Sequence, residues 1–247
     1  MKIPTDYEAM FRDRLLIITG IGRSGTTILG KLIGSMSPVY YLFEPAIFKY
    51  HNEPDRDVLF EDYFLPLVQG RNLNPNKKDD SWWGHYYTHE DIKWAHKNLS
   101  SRKDAIAYVR EVRPLFVVKS NDRINYPPNA TVLHIAREAL SVVRSMVKKG
   151  WYTDEYMQSV VDYVVDGIPH FIDPKDAKLW PSLTQDGRCR CVWKTLMVKN
   201  NILTGQPIYY ENLCANPQLV ADGISNRFGL KQTKLTKKHI RAIERHN

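Results

Sequence analysis

The chain has 247 residues, three cysteines and a formal net charge of +8. This length suits one α/β domain, and 43% hydrophobic with 25% charged residues excludes a chain disordered over most of its length. The positive charge points to an anionic partner: nucleotide, nucleic acid, membrane surface or acidic glycan. Three cysteines without framework spacing (Cys189, Cys191, Cys214) exclude a disulfide scaffold and offer no zinc set. We read them as free thiols in a reducing compartment. No run of about 18 apolar residues exists, so no membrane span is expected. Met1 to Arg14 lacks an apolar signal core, so a cytoplasmic location is expected.

In chain order, Leu15-Leu16-Ile17-Ile18-Thr19 is an apolar, β-branched run that reads as a buried strand. A glycine-containing loop follows, then a helix over 26–36 with Ile28, Leu29, Leu32 and Ile33 on one side. A second strand is expected over 39–43. Residues 50–88 are irregular and hold the aromatics Trp82, Trp83, Tyr86 and Tyr87, an insertion or lid. A helix over 89–112, a third strand over 115–118, a fourth over 131–135 and a helix over 138–149 follow. Residues 153–166 and 190–203 read as helical, 207–210 as a fifth strand and 217–228 as a last helix. The basic tail from Lys231 is expected to be loosely held. Strands alternating with helices predict one domain over 1–247, an α/β fold of the P-loop-NTPase-like type. Its parallel sheet has about five strands flanked by helices, and its ligands lie beyond the strands' carboxyl ends.

Gly20-Ile21-Gly22-Arg23-Ser24-Gly25-Thr26-Thr27 joins the first strand to its helix. Unpaired N–H groups at a helix start, the positive end of the helix dipole and close-wrapping glycines make this an anion cradle. The glycine spacing copies an ATP- or GTP-binding loop, but Thr26 stands where that motif has Lys. Arg23 is left as the cation, which suits a shorter anionic chain than a metal-bound triphosphate. A second anchor is Arg137, at the end of the fourth strand, with Ser145 eight residues on, about two helical turns. The structural alternative is an Arg137 that pairs with Glu138 or caps a carbonyl.

These blocks resemble sulfotransferases. Arg23-Ser24-Gly25-Thr26-Thr27 is similar to the family's 5′-phosphosulfate loop. Ala136-Arg137 through Arg144-Ser145 is similar to its 3′-phosphate motif. Tyr209-Tyr210-Glu211-Asn212-Leu213 through Pro217 resembles its Tyr-Glu-Asp-Leu segment. Val39 to Pro45 is similar to the Golgi carbohydrate enzymes in particular. The cytosolic enzymes' loop Lys and C-terminal Arg-Lys-Gly block have no counterpart among these residues, and a membrane anchor of the Golgi kind is not expected. The resemblance implies 3′-phosphoadenosine 5′-phosphosulfate (PAPS) as donor. Gly22, Arg23, Ser24, Gly25, Thr26, Thr27, Arg137, Ser145 and Tyr210 would bind it, Tyr210 against the adenine, with no metal required. It implies Glu44 as general base, with Arg23 and Lys119 in the catalytic set, and a hydroxyl acceptor, first of all a carbohydrate.

For Glu44 the alternatives are capping a helix or pairing with Arg23; for Lys119, a surface lysine lying off a strand end. His51 is a second candidate base, His85 and His89 flank the lid, and His134 and Trp193 read as core. Two other classes stand against the sulfotransferase. One is a P-loop kinase, which would need ATP and magnesium. The other is a nucleic-acid-binding protein, for which the basic residues are scattered and no motif is present.

Overall fold

A computed structural model describes residues 13–43, 59–71, 89–120, 130–159, 164–204 and 206–245. Its strands are β1 (Leu15–Thr19), β2 (Val39–Phe43), β3 (Leu115–Lys119), β4 (Thr131–Ala136), the pair β5 (Val164–Val165) and β6 (Ile168–Pro169), and β7 (Ile208–Tyr209). Five of them form one parallel sheet in the order β2-β3-β1-β4-β7. The helices are α1 (Thr26–Gly34), α2 (Leu65–Val68), α3 (His89–Asn98), α4 (Arg102–Val112), α5 (Ala139–Lys148), α6 (Asp154–Ser159), α7 (Pro174–Ala177), α8 (Gln185–Thr204), α9 (Tyr210–Ala215), α10 (Pro217–Phe228) and α11 (Lys234–Glu244). None of the described helices is long and apolar enough to cross a membrane.

The central strands are buried on both faces, which is why β1 and β3 are apolar almost end to end. Successive side chains part to opposite sides. Leu15 and Ile17 join Phe116 and Val118 in one core with Phe60 and Phe64, while Leu16 and Ile18 join Leu115 and Val117 under α1, α10 and α11. A third core gathers α5 and α8 around Trp180. The buried Phe116 ring meets Tyr40 at 5.8 Å, Phe60 at 6.0 Å and Phe64 at 4.7 Å between centroids.

Several elements depart from the sequence reading. Residues 59–71 lie inside the stretch read as irregular. There a π-turn (Phe60–Phe64) runs into α2 and drives Phe60, Phe64, Leu65 and Leu67 into the sheet's core. The rest of 50–88, with Trp82, Trp83, Tyr86, Tyr87, His51 and His85, lies outside the described residues, as does the His89 side chain. The helix over 89–112 is two, broken at Ser101, whose hydroxyl caps α4 by accepting from the Asp104 N–H. Of the stretch read as helical over 153–166, α6 covers Asp154–Ser159, while β5 and β6 turn back through Asp166-Gly167, both at positive φ. An Asp-Gly pair is the strongest short hairpin signal, and it overrode the helical composition. The fifth strand gives way to helix at Tyr210.

The tail is not loose. Thr233 and Thr236 form a capping box at the start of α11, and the Thr233 hydroxyl donates to the Ser35 carbonyl at 2.7 Å. Thr236, Ile240 and Ile243 pack inward at helical spacing. Lys234, Lys237, Lys238, Arg241 and Arg245 point to solvent, so a docked amphipathic helix reads as a basic tail by composition. His134 is buried, as expected, and Trp193 packs against the third core. The three cysteines are buried, and none of them is in a disulfide. Burial pushes the Cys189 thiol up to about 12 and the Cys191 thiol to about 11.

The Phe116→Ala protein is expected to lose about 3–5 kcal/mol of stability, because its cavity sits among three other rings. Urea unfolding should show a lower midpoint at unchanged slope.

Candidate active site

The chain leaves β1 toward β2 on one side of the sheet and leaves β4 toward β7 on the other. The crevice at this reversal, between the ends of β1 and β4, is where open parallel sheets hold ligands. The glycine loop follows β1, and Arg137 follows β4.

The loop turns tightly, with the Ser24 N–H donating to the Ile21 carbonyl at 3.0 Å. Gly25 caps α1 at φ 95°, a left-handed conformation, and supplies no capping side chain. The N–H groups of the first turn therefore face the loop without an intrahelical acceptor. A Cβ on Gly25 would run into the Tyr210 ring, and one on Gly22 would lie 2.7 Å from Trp151 Cζ3. Both positions are confined to glycine by close aromatic neighbours. Ser24 is wholly buried, and among the described residues its Oγ has no hydrogen-bond partner. Thr26 is buried and Thr27 half-buried on the first turn of α1.

The two anchors read from the sequence meet. The Arg23 Nε donates to the Ser145 Oγ at 3.0 Å, and the Arg137 Nη1 donates to the Arg23 carbonyl at 3.3 Å. The Arg137 guanidinium lies over the Tyr210 ring, 4.4 Å from its centroid. Arg137 thus does cap a carbonyl, and that carbonyl belongs to the loop. Both guanidiniums donate to neutral oxygens, and among the described residues neither is in an ion pair with a carboxylate. Their charge stays available to a ligand. The Tyr210 hydroxyl is pushed up, first by its hydrogen bond with the Cys214 thiol and then by burial, against a lowering by Arg137. A cavity of about 670 Å³ opens beside this cluster, lined by Arg137, Ser141, Tyr210, Glu211, Cys214 and Glu244.

Lys119 ends β3 and is buried, with 2% of its surface exposed, which rules out the surface lysine. Its Nζ sits 4.3 Å from the Phe43 ring centroid, and its Cα pairs with Phe43. The next residue after Phe43 is Glu44, which lies outside the described residues.

Sequence reasoning missed three supporting residues. Glu138 does not pair with Arg137. Its carboxylate accepts from the Leu140 and Ser141 N–H groups and so caps α5, the helix that carries Ser145. Those backbone donors hold the Glu138 carboxyl below the ordinary carboxylate range. Trp151 follows a glycine that ends α5 in the left-handed conformation. The Trp151 N–H donates to the Met146 carbonyl at 3.1 Å and the Gly150 N–H to the Val147 carbonyl at 3.0 Å. This is a Schellman ending, and it throws the indole over Gly22. Lys148-Lys149-Gly150-Trp151 carries its signal, a basic last turn, a glycine and an apolar residue. Glu211 is the third, and its carboxylate accepts from the Glu138 N–H at 3.0 Å.

No family model matches this chain, and no curated protein does. Among solved structures, the sulfotransferase domain from the Curacin biosynthetic pathway is similar at 14% identity and a TM-score of 0.51, over 90% of this chain and 76% of that one. This chain has the sulfotransferase fold. The sulfotransferase domain from the Synechococcus PCC 7002 olefin synthase aligns at 13% identity and a TM-score of 0.48, over 90% and 75% of the two chains. A sulfotransferase from Alicyclobacillus acidocaldarius aligns at 15% identity and a TM-score of 0.41, over 87% and 80%.

Glu138 contributes stability only while ionised, since its carboxyl is held lower in the folded state than in the unfolded one. That contribution is full at pH 7 and is lost as the pH falls through the folded-state value. Glu138→Ala is expected to melt a few degrees lower at pH 7, with the gap to the parent closing in acid. A gap that stays constant down to pH 3 would contradict this role.

Proposed function

We propose that the chain is a sulfotransferase that moves a sulfonate group from PAPS to a hydroxyl, with a carbohydrate as the first acceptor class to test. The observation that carries the reading is the meeting of Arg23, Arg137 and Ser145 at one end of the sheet. Among the described residues the two guanidiniums donate to neutral oxygens there, over a loop that leaves a helix start open. The residues fit an elongated anion with two charged ends. The loop and Arg23 suit a phosphosulfate, and Arg137 with Ser145 suits a second phosphate, the group that separates PAPS from ATP. Thr26, standing where a triphosphate-binding loop has Lys, supports the same choice.

PAPS bound there would supply the sulfonate on a good phosphate leaving group. The chain's own residues then have three tasks. Glu44 takes the hydroxyl proton as the acceptor oxygen attacks in line. Arg23 and Lys119 hold the negative charge that grows on the oxygen left behind, by analogy with phosphoryl transfer. The loop N–H groups and α1 hold the donor still while this happens. Tyr210 offers an aromatic ring beside Arg137 for the adenine. The carbohydrate acceptor rests on the resemblance of Val39 to Pro45, and a cytoplasmic setting on the free thiols.

Thermal unfolding tests the donor. At about 100 times Kd a ligand adds roughly 2.7 kcal/mol, a rise on the order of 5–10 °C for a domain of this size. The rise is expected with 3′,5′-ADP, and Arg137→Ala should abolish most of it. A rise with ATP and magnesium but none with 3′,5′-ADP would replace this reading with a kinase, and tight DNA binding that fades with salt would replace it with nucleic-acid recognition.

Glu44→Gln is expected to lower kcat by about 100-fold or more with sulfonate donor and acceptor at saturation, while 3′,5′-ADP affinity stays within about twofold. Full activity in this variant would remove Glu44 as the base.

A further inference from the structure

The sheet does not stop at the last backbone rung between β4 and β7. Ile135 pairs with Ile208 and Ala136 with Tyr209, after which the two chains diverge into helices α5 and α9. Side by side they then carry Arg137 against Tyr210 and Glu138 against Glu211. The first contact is a guanidinium over a ring at 4.4 Å, and the second is the Glu138 N–H donating to Glu211 Oε1 at 3.0 Å. A side-chain oxygen thus takes the place that a strand carbonyl would hold two residues further on.

We infer that Glu211 is a positioning residue for the anion anchor, a side-chain rung that fixes the turn between β4 and α5. The inference rests on the reading of Arg137 and Ser145 as a phosphate site. The chemistry follows from where Glu138 sits. Arg137 precedes it, and its carboxylate caps the helix that presents Ser145. Holding the Glu138 N–H therefore sets both halves of the anchor at once: the direction in which Arg137 leaves the strand, and the start of the helix from which Ser145 reaches Arg23. Without the rung, the Glu138 amide has no strand to pair with, because β7 has already turned into α9. Arg137 would then be free to leave the Tyr210 face and the loop carbonyl. A glutamine keeps an acceptor oxygen of the same reach, so the role predicts that the amide substitutes for the carboxylate and the methyl does not.

Three proteins decide this: the parent, Glu211→Ala and Glu211→Gln. In the ligand-free proteins, amide hydrogen exchange at Glu138 is expected to quicken at least tenfold in Glu211→Ala and to stay near the parent rate in Glu211→Gln. By calorimetry, Glu211→Ala is expected to weaken 3′,5′-ADP about tenfold and 5′-ADP by less than twofold, since only the first carries the 3′-phosphate, with Glu211→Gln restoring 3′,5′-ADP binding. Unchanged Glu138 exchange in Glu211→Ala overturns the rung. Equal weakening of both nucleotides, or a Glu211→Gln protein as weak as Glu211→Ala, overturns the positioning role in favour of a general structural or purely charge effect. Quickened exchange in Glu211→Ala, in a parent that binds neither nucleotide, keeps the rung and overturns the phosphate-site reading instead.

Discussion

Arg23 holds its backbone at φ 77°, a left-handed conformation that costs a side chain of this size on the order of 1–2 kcal/mol. A residue persists there only when its surroundings over-determine it. The surroundings are specific. The Ser24 N–H closes the turn on the Ile21 carbonyl, Arg137 grips the Arg23 carbonyl, and Ser145 accepts from the Arg23 guanidinium. On either side, Trp151 and Tyr210 occupy the space that side chains on Gly22 and Gly25 would need. The loop is therefore held by groups at the ends of β4 and α5 and on α9, which converge on it from three sides.

This dependence explains the distribution of small structural devices along the chain. The cap on α5 sets Ser145 at one end of the helix, and the Schellman ending sets Trp151 at the other. The capping box on α11 bonds to Ser35 at the far end of α1, so the helix whose start lies open at the loop is tied down at its other end. An open helix start forgoes the stabilisation a side-chain cap would bring, and it keeps the N–H groups for an anion. The fold tolerates that omission because the packing of α1 on the sheet, through Leu29, Leu32 and Ile33, holds the helix by its side instead.

The sheet and the glycine loop were legible because they depend on local patterns: unbroken apolar runs for strands buried on both faces, and glycines followed by a helix start. Leu15 to Thr19 and Arg23 needed no knowledge of distant residues, whereas Arg137 and Ser145 stood out through the resemblance. The elements misread were those decided by something other than composition. Asp166-Gly167 imposed a hairpin at the end of a stretch read as helical over 153–166. In the tail, three inward residues at helical spacing outweighed six Lys and Arg from Lys231 onward. Glu138 and Glu211 were illegible for a different reason. Both act on backbone N–H groups, and a carboxylate committed to a backbone donor looks in sequence like any exposed glutamate. The resemblance placed Glu211 in a motif without giving it a task; the register of β7 against β4 gives it one.

Carboxylates beside an anion site are a liability, since they repel the ligand and compete for the same arginines. Glu138 and Glu211 lie beside Arg137, yet neither takes its guanidinium; both are engaged by N–H groups, those of Leu140 and Ser141 for one and that of Glu138 for the other. The cap also lowers Glu138, because its backbone donors favour the ionised form. The negative charge is thus spent on building the turn, and the positive charge of Arg23 and Arg137 is left to neutral acceptors that an anion can displace.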